Sequence, residues 1–161
     1  MDLFLIRHAD ALPVGEAGQN DIDRPLSPRG QSQAKELGRV LQSRYSRIDR
    51  VLTSPLLRAR QTAEELCASR GIGTPALVAC KELAPGGKRR KLSRILRGLD
   101  GKRLAVVGHE PDLSDFAAWL IGSKKAQIDI AKSGIACLTC GEAPGKGMAV
   151  LRWLVTPDWY S

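Results

Sequence analysis

Short hydrophobic runs alternate along the chain with longer amphipathic stretches, and clusters of Gly, Pro, Asp and Asn separate them. Asp2 to Arg7, built on Leu3-Phe4-Leu5-Ile6, has the length and flanks of a buried strand. Val51-Leu52-Thr53, Ala76 to Cys80 and Leu104 to Val107 predict three more. Pro13, Gly15, Gly18 and Pro25 mark an irregular loop after the first strand. Ser27 then predicts an N-cap with Pro28 in the first helical position, and Ala34, Leu37, Val40 and Leu41 share a face of a helix reaching about Tyr45. Ser54-Pro55 repeats that start and predicts a helix from Pro55 to about Arg70, closed by Gly71, with Arg58 in its first turn. Gly86-Gly87 breaks the chain before a third helix, in which Leu92, Ile95, Leu96 and Leu99 recur at helical spacing. Leu113, Phe116, Ala117, Leu120 and Ile121 form the stripe of a fourth, ended by Gly122. Ile135 to Thr139 and Ala149 to Val155, separated by a turn-rich segment, predict a hairpin or adjacent strands.

This order predicts an α/β fold: a three-layer αβα sandwich with a mostly parallel central sheet flanked by helices. Residues 1–161 are expected to form a single domain, a length and apolar content sufficient for a core. In such folds ligands gather beyond the carboxyl ends of the strands.

Composition narrows the setting. No apolar run approaches the roughly 18 to 20 residues of a membrane span, and the N-terminus, with an acid at position 2, lacks the basic start of a secretory signal. A soluble cytoplasmic protein with no membrane partner is expected. Cys137 and Cys140 form a C-x-x-C within a predicted strand, where residues three apart point to opposite faces. No second Cys or His pair stands nearby, so neither a metal nor a redox centre is expected.

The net charge of +8 points to an anionic partner. Lys88 to Arg103 carries eight of the 25 basic residues. Two readings stay open for it: an amphipathic helix with a solvated basic face, and a dedicated docking surface. Aromatic residues make up 4% of the chain, too few to offer many stacking platforms, so nucleic acid is not expected as a partner.

The chemistry is concentrated in two histidines, His8 and His109, each at the carboxyl end of a predicted buried strand. Arg7 precedes the first, and Arg58 opens the helix after the second strand. An arginine at a buried strand end needs an anion, because an unpaired charge there is costly. A phosphoryl group meets that need, and planar guanidinium groups match its oxygens in a two-pronged way.

Leu5-Ile6-Arg7-His8-Ala9-Asp10, Ser54-Pro55-Leu56-Leu57-Arg58-Ala59-Arg60-Gln61-Thr62-Ala63 and Val107-Gly108-His109-Glu110-Pro111 resemble three blocks of the histidine phosphatase superfamily, in their expected order. The short length, the Arg24-to-Gly30 and Glu82-to-Gly86 stretches and the closing Leu151-to-Pro157 are similar to its SixA-type phosphohistidine phosphatases. The resemblance implies a phosphatase without metal or cofactor. It assigns His8 as the nucleophile, Arg7 and Arg58 as phosphate-binding residues, and His109 as a hydrogen-bond donor to the phosphoryl oxygens. By the same analogy the partner is a phosphorylated protein such as a histidine-containing phosphotransfer domain, acted on by a monomer.

Ala9 departs from the family's glycine at that place. Glu82 lies near where larger members carry an acid that protonates an alcohol leaving group, and its reading is open between that role and a surface glutamate. Phosphohistidine needs little acid help, since it leaves as an imidazole whose conjugate acid has a pKa near 6.5, against about 15.7 for water. The rivals are a broad phosphatase on small phosphate esters, with a phosphoglycerate mutase as a remoter version, and a basic binding module without chemistry. Arg24, Arg29 and Arg60 read as surface or capping residues and Trp153 as core, while Asp10, Asp21 and Asp23, in the loop near the expected site, suit turn chemistry ahead of substrate contact.

Overall fold

The computed structural model describes residues 1–16, 20–68 and 76–160. Its strands are β1 (Asp2–Arg7), β2 (Arg50–Thr53), β3 (Ala76–Ala79), β4 (Arg103–Gly108), β5 (Ile135–Cys140) and β6 (Ala149–Val155). They form one sheet in the order β3-β2-β4-β1-β5-β6. The first four positions pair in parallel, while β5 runs antiparallel to β1 and β6 antiparallel to β5. The helices are α1 (Pro28–Arg44), α2 (Leu57–Ala68), α3 (Arg89–Arg97) and α4 (Asp112–Leu120). The result is the expected α/β sandwich with a mixed, mostly parallel sheet.

Two cores follow from the period of the strands. Leu3 and Leu5 of β1, with Leu104 and Val106 of β4, face α3 and α4 through Leu92, Leu96, Leu113 and Phe116. The alternate residues Phe4, Ile6, Ala105 and Val107 face α1 and α2 through Leu37, Leu41, Ala63 and Leu66. Side chains two apart share a face, so continuous apolar strands are what a sheet covered on both sides requires. Each fully buried Leu or Phe contributes roughly 1.5–3 kcal/mol. The C-x-x-C obeys the same rule: Cys137 lies in the second core and Cys140 in the first.

α1 begins as the sequence indicates, with Ser27 Oγ accepting from the Gly30 amide at 3.0 Å. α2 does not. It starts at Leu57, two residues after Pro55, because the Ser54 hydroxyl is committed elsewhere: it accepts weakly from Leu56 N (3.3 Å) and bonds His109. Ser54-Pro55 is a turn into the helix rather than its cap. The expected end of α2 at Arg70 and Gly71 falls outside the described residues.

The sheet order sets the carboxyl ends of β2, β4 and β1 side by side. Backbone pairing continues one residue beyond the strands, with His8 N donating to Gly108 O (3.1 Å) and Ser54 N to Val107 O (2.9 Å). The segment after His8 is pinned by an antiparallel bridge between Ala11 and Leu26. It is pressed onto α1 at Gly30, where a Cβ would stand 1.8 Å from the Asp10 carbonyl oxygen.

Gly30→Ala must therefore displace this loop. We expect a loss of about 1–3 kcal/mol, typical of overpacking, read from urea unfolding midpoints.

Candidate active site

His8, Arg58 and His109 meet where the three strand ends converge, all three buried. The ring centroids of His8 and His109 are 5.0 Å apart. His8 Nδ1 lies 2.7 Å from the carbonyl oxygen of Ala9. A carbonyl only accepts, so Nδ1 carries the proton and Nε2 presents its lone pair. Arg58 Nε donates to that Nε2 at 3.3 Å. On the other ring, His109 Nε2 bonds Ser54 Oγ at 2.8 Å and Nδ1 lies 3.5 Å from Arg58 Nη2.

Arg58 is 4% exposed, so its charge needs partners. Asp21 supplies them, accepting from Nη1 through its backbone carbonyl (2.7 Å) and from Nη2 through its carboxylate (3.2 Å). Asp21 thus does more than shape a turn: its carboxylate also pairs with Arg24 at 2.9 Å and closes one side of the site. Burial pushes the Asp21 pKa up, but the charges of Arg58 and Arg24 outweigh it and hold the carboxyl below its ordinary range. Arg24, expected at the surface, is partly buried and braced on Leu12 O as well as on Asp21.

The same cations keep both imidazoles neutral. Burial, then the charges of Arg58, Arg7 and Arg24, pull the His8 pKa down to about 4 against the opposing bond to Ala9. Burial, then the nearby His8 and Arg58, pull His109 to about 3. A neutral imidazole with an unprotonated Nε2 can act as a nucleophile at ordinary pH.

Arg7 stands beside this group. Its Nη1 donates to Ile130 O at 3.0 Å, while its buried Nε has no partner among the described residues. Glu110, in the turn before α4, presents a similar imbalance. Its Oε2 accepts from Ser114 Oγ and its buried Oε1 has no partner among the described residues. Burial raises the Glu110 pKa, with the Arg7 charge opposing.

Glu82 borders the same cleft as His109, next to Leu83, Gly87 and Arg89. Its carboxylate accepts from Lys88 N (3.2 Å) and pairs with Lys91 (3.8 Å), which ties the entrance of α3. Asp10 is held away from the histidines by Ser27 and Lys132, each at 2.6 Å. Asp23 is exposed, its amide bonded to Asn20 within a turn, and Arg29 and Arg60 are exposed, all as expected. Trp153 is half-buried against Phe4. Among the described residues no group of three or more His, Cys, Asp or Glu side chains could hold a metal ion.

Sequence reasoning missed the site contacts of Ser54, Thr62 and Glu110, and the pairing of Asp21 with Arg58. Thr62 Oγ1 accepts from Ala9 N (3.1 Å) and donates to Arg58 O (2.8 Å), linking the two site segments. The Ser-Pro pair reads as a cap and the Asp-Ile-Asp run as a turn. Only the parallel packing of β2 against β4 turns Ser54 toward a histidine.

A family model described as the histidine phosphatase superfamily (branch 1) matches residues 3–86. The phosphohistidine phosphatase SixA of Escherichia coli is 30% identical over 160 residues, 98% of this chain and 94% of its own. A broad-specificity phosphatase of Saccharomyces cerevisiae is 27% identical, covering 94% of this chain and 69% of its own. Among solved structures, the protein histidine phosphatase SixA complexed with tungstate superposes with a TM-score of 0.84 at 28% identity, over 98% of both chains.

The buried neutral histidines make stability depend on pH. Below their unfolded value of 6.5 the unfolded chain takes up protons that the folded chain refuses until about 4 (His8) and about 3 (His109). Their contribution is therefore complete above pH 6.5 and is lost as the pH falls toward 4, with a slope of up to about 1.4 kcal/mol per unit for each. Urea midpoints between pH 7 and 5 should fall less steeply for His8→Gln/His109→Gln than for the unsubstituted protein.

Proposed function

Because the chain belongs to the histidine phosphatase superfamily, we propose that it takes its phosphoryl group from phosphohistidine on a protein, by way of a phosphorylated His8. The observation that carries this reading is the pinned imidazole: Nδ1–H is held by the Ala9 carbonyl, and the lone pair of Nε2 faces Arg58. As Nε2 attacks phosphorus the ring gains positive charge, and the bond to Ala9 strengthens with it.

In the first step the His8 Nε2–P bond forms and the bond from phosphorus to the substrate imidazole breaks. The leaving ring takes the electron pair and departs neutral when it carries a proton on its other nitrogen. In the second step water attacks phosphorus, its oxygen staying with the phosphate and Nε2 recovering its lone pair. Arg58 turns its N–H groups from Nε2 to the phosphoryl oxygens, and Arg7, with its unpartnered Nε, supplies a second guanidinium. These cations meet the charge of the transferring group, so the step is drawn without a metal. His109 Nε2 is bonded to Ser54 Oγ; with the Ser54 hydroxyl donating to that nitrogen, Nδ1–H of His109 is a donor beside Arg58 for the phosphoryl oxygens.

The resemblance to SixA supports a phosphorylated protein as the partner, with a histidine-containing phosphotransfer domain as its type. A second reading, broad action on small phosphate esters, is favoured by the place of Glu82 in the cleft with His109. An ester needs a proton on its leaving oxygen; an imidazole does not.

Rates on a phosphohistidine protein and an aryl phosphate test both readings. His8→Ala should lose at least ~10³-fold on each, and His109→Ala ~10²–10³-fold on each, because its bond acts on oxygens common to them. Glu82→Gln should stay within about tenfold on phosphohistidine, whereas a loss of ~10² to 10⁴ on the ester alone would mark it as an ester acid. A large, equal loss on both for Glu82→Gln, or residual His8→Ala activity near that of the unsubstituted protein, would overturn the assignment.

A further inference from the structure

Helix α3 carries more positive charge than its packing requires. Leu92, Ser93 and Leu96 make its buried face. Lys88, Arg89, Arg90, Lys91 and Arg94 are all exposed, and no acidic residue stands between Glu82 and Asp100. Among the described residues these five have one ion pair, Lys91 with Glu82 at 3.8 Å. Arg97 is different: with Ser93 it donates to the Pro144 carbonyl, each at 2.8 Å, and fastens the far end of the helix to the turn between β5 and β6.

The distribution of the five is unfavourable for the helix by itself. Four of them crowd the N-terminal end, where the helix dipole is already positive, with no acid in the first turn and no side-chain cap on Lys88. Acids there would stabilise a helix that had only to cover the core. The place of this end is informative too. Arg89 lines the cleft that also holds Glu82 and His109, so the basic surface begins at the rim of the site and runs outward along α3.

We propose that the exposed basic face of α3 docks an acidic protein surface beside the phosphorylated histidine of the substrate. The inference rests on the phosphohistidine reading above. A protein that delivers a phosphorylated side chain to His8 must lay its neighbouring residues against the rim, and complementary charge there speeds encounter and fixes orientation. Nucleic acid fits less well. No Phe, Tyr or Trp stands between Tyr45 and Phe116, so α3 and its flanks offer no base-stacking platform.

Two phosphohistidine peptides test it, alike except that about six residues on each side are rich in Glu in one and in Lys in the other, a reach of ~20 Å per side. The phosphoramidate ion, too small to reach α3, serves as the reference substrate. The unsubstituted protein should favour the Glu-flanked peptide in kcat/KM by ~10-fold or more at low ionic strength, and added salt should erode the preference. Lys88→Gln/Arg90→Gln/Arg94→Gln should abolish the preference through KM, with kcat and phosphoramidate turnover unchanged. Equal rates on the two peptides, or a preference that survives in the triple variant, would overturn the docking surface and leave the phosphatase reading standing. Salt-steep binding of a single-stranded RNA that the triple variant loses, with equal peptide rates, would reassign the face to nucleic acid. Failure to turn over phosphoramidate and either peptide would overturn both proposals together.

Discussion

The site depends on one buried cation. Arg58 places a guanidinium where three parallel strand ends meet, and every neighbour is arranged around that charge. Asp21 meets it with a carboxylate and a carbonyl, Thr62 receives a hydrogen bond on the hydroxyl that in turn bonds the Arg58 backbone, and both imidazoles lie within reach of its N–H groups. A buried guanidinium cannot shed its proton, so the histidines shed theirs. Their neutrality follows from burial together with this neighbour, and neutrality is what leaves a lone pair on His8 Nε2.

The fold makes such a cluster affordable by building it from backbone that is already committed. His8 N and Ser54 N extend the sheet pairing past the strands, so the turns that hold the side chains are tied to the sheet by backbone hydrogen bonds. The loop after His8 brings in Asp21 from more than a turn away, anchored by the close approach of Asp10 to Gly30 and by Arg24 on Asp21. Charge pairing and backbone pairing thus act on the same few residues, so strain at the loop is felt at the site.

Beyond this pinned centre lies a rim of different character. Among the described residues Lys88, Arg89, Arg90 and Arg94 are exposed with no ion pair, and Lys91 has one, with Glu82. The inner site is buried and lined by guanidinium and imidazole groups, whereas the rim is exposed and basic.

The strands, the two-sided core and the order of elements were legible along the chain, because apolar runs such as Leu3 to Ile6 and Leu104 to Val107 state their period locally. Strand-end histidines and arginines were legible too, since polar residues that end buried runs stand out, and the likeness of Arg7-His8, Arg58 and Gly108-His109 to a family adds their order. Tertiary structure alone decided what those residues touch. Ser54 looks like a helix cap until β2 pairs with β4 and turns its hydroxyl to His109; Asp21 looks like a turn residue until the loop folds back on Arg58. Hydrophobic period is a property of neighbours in sequence, whereas the partner of a buried charge is set by which distant segments the packing brings within about 3 Å of it.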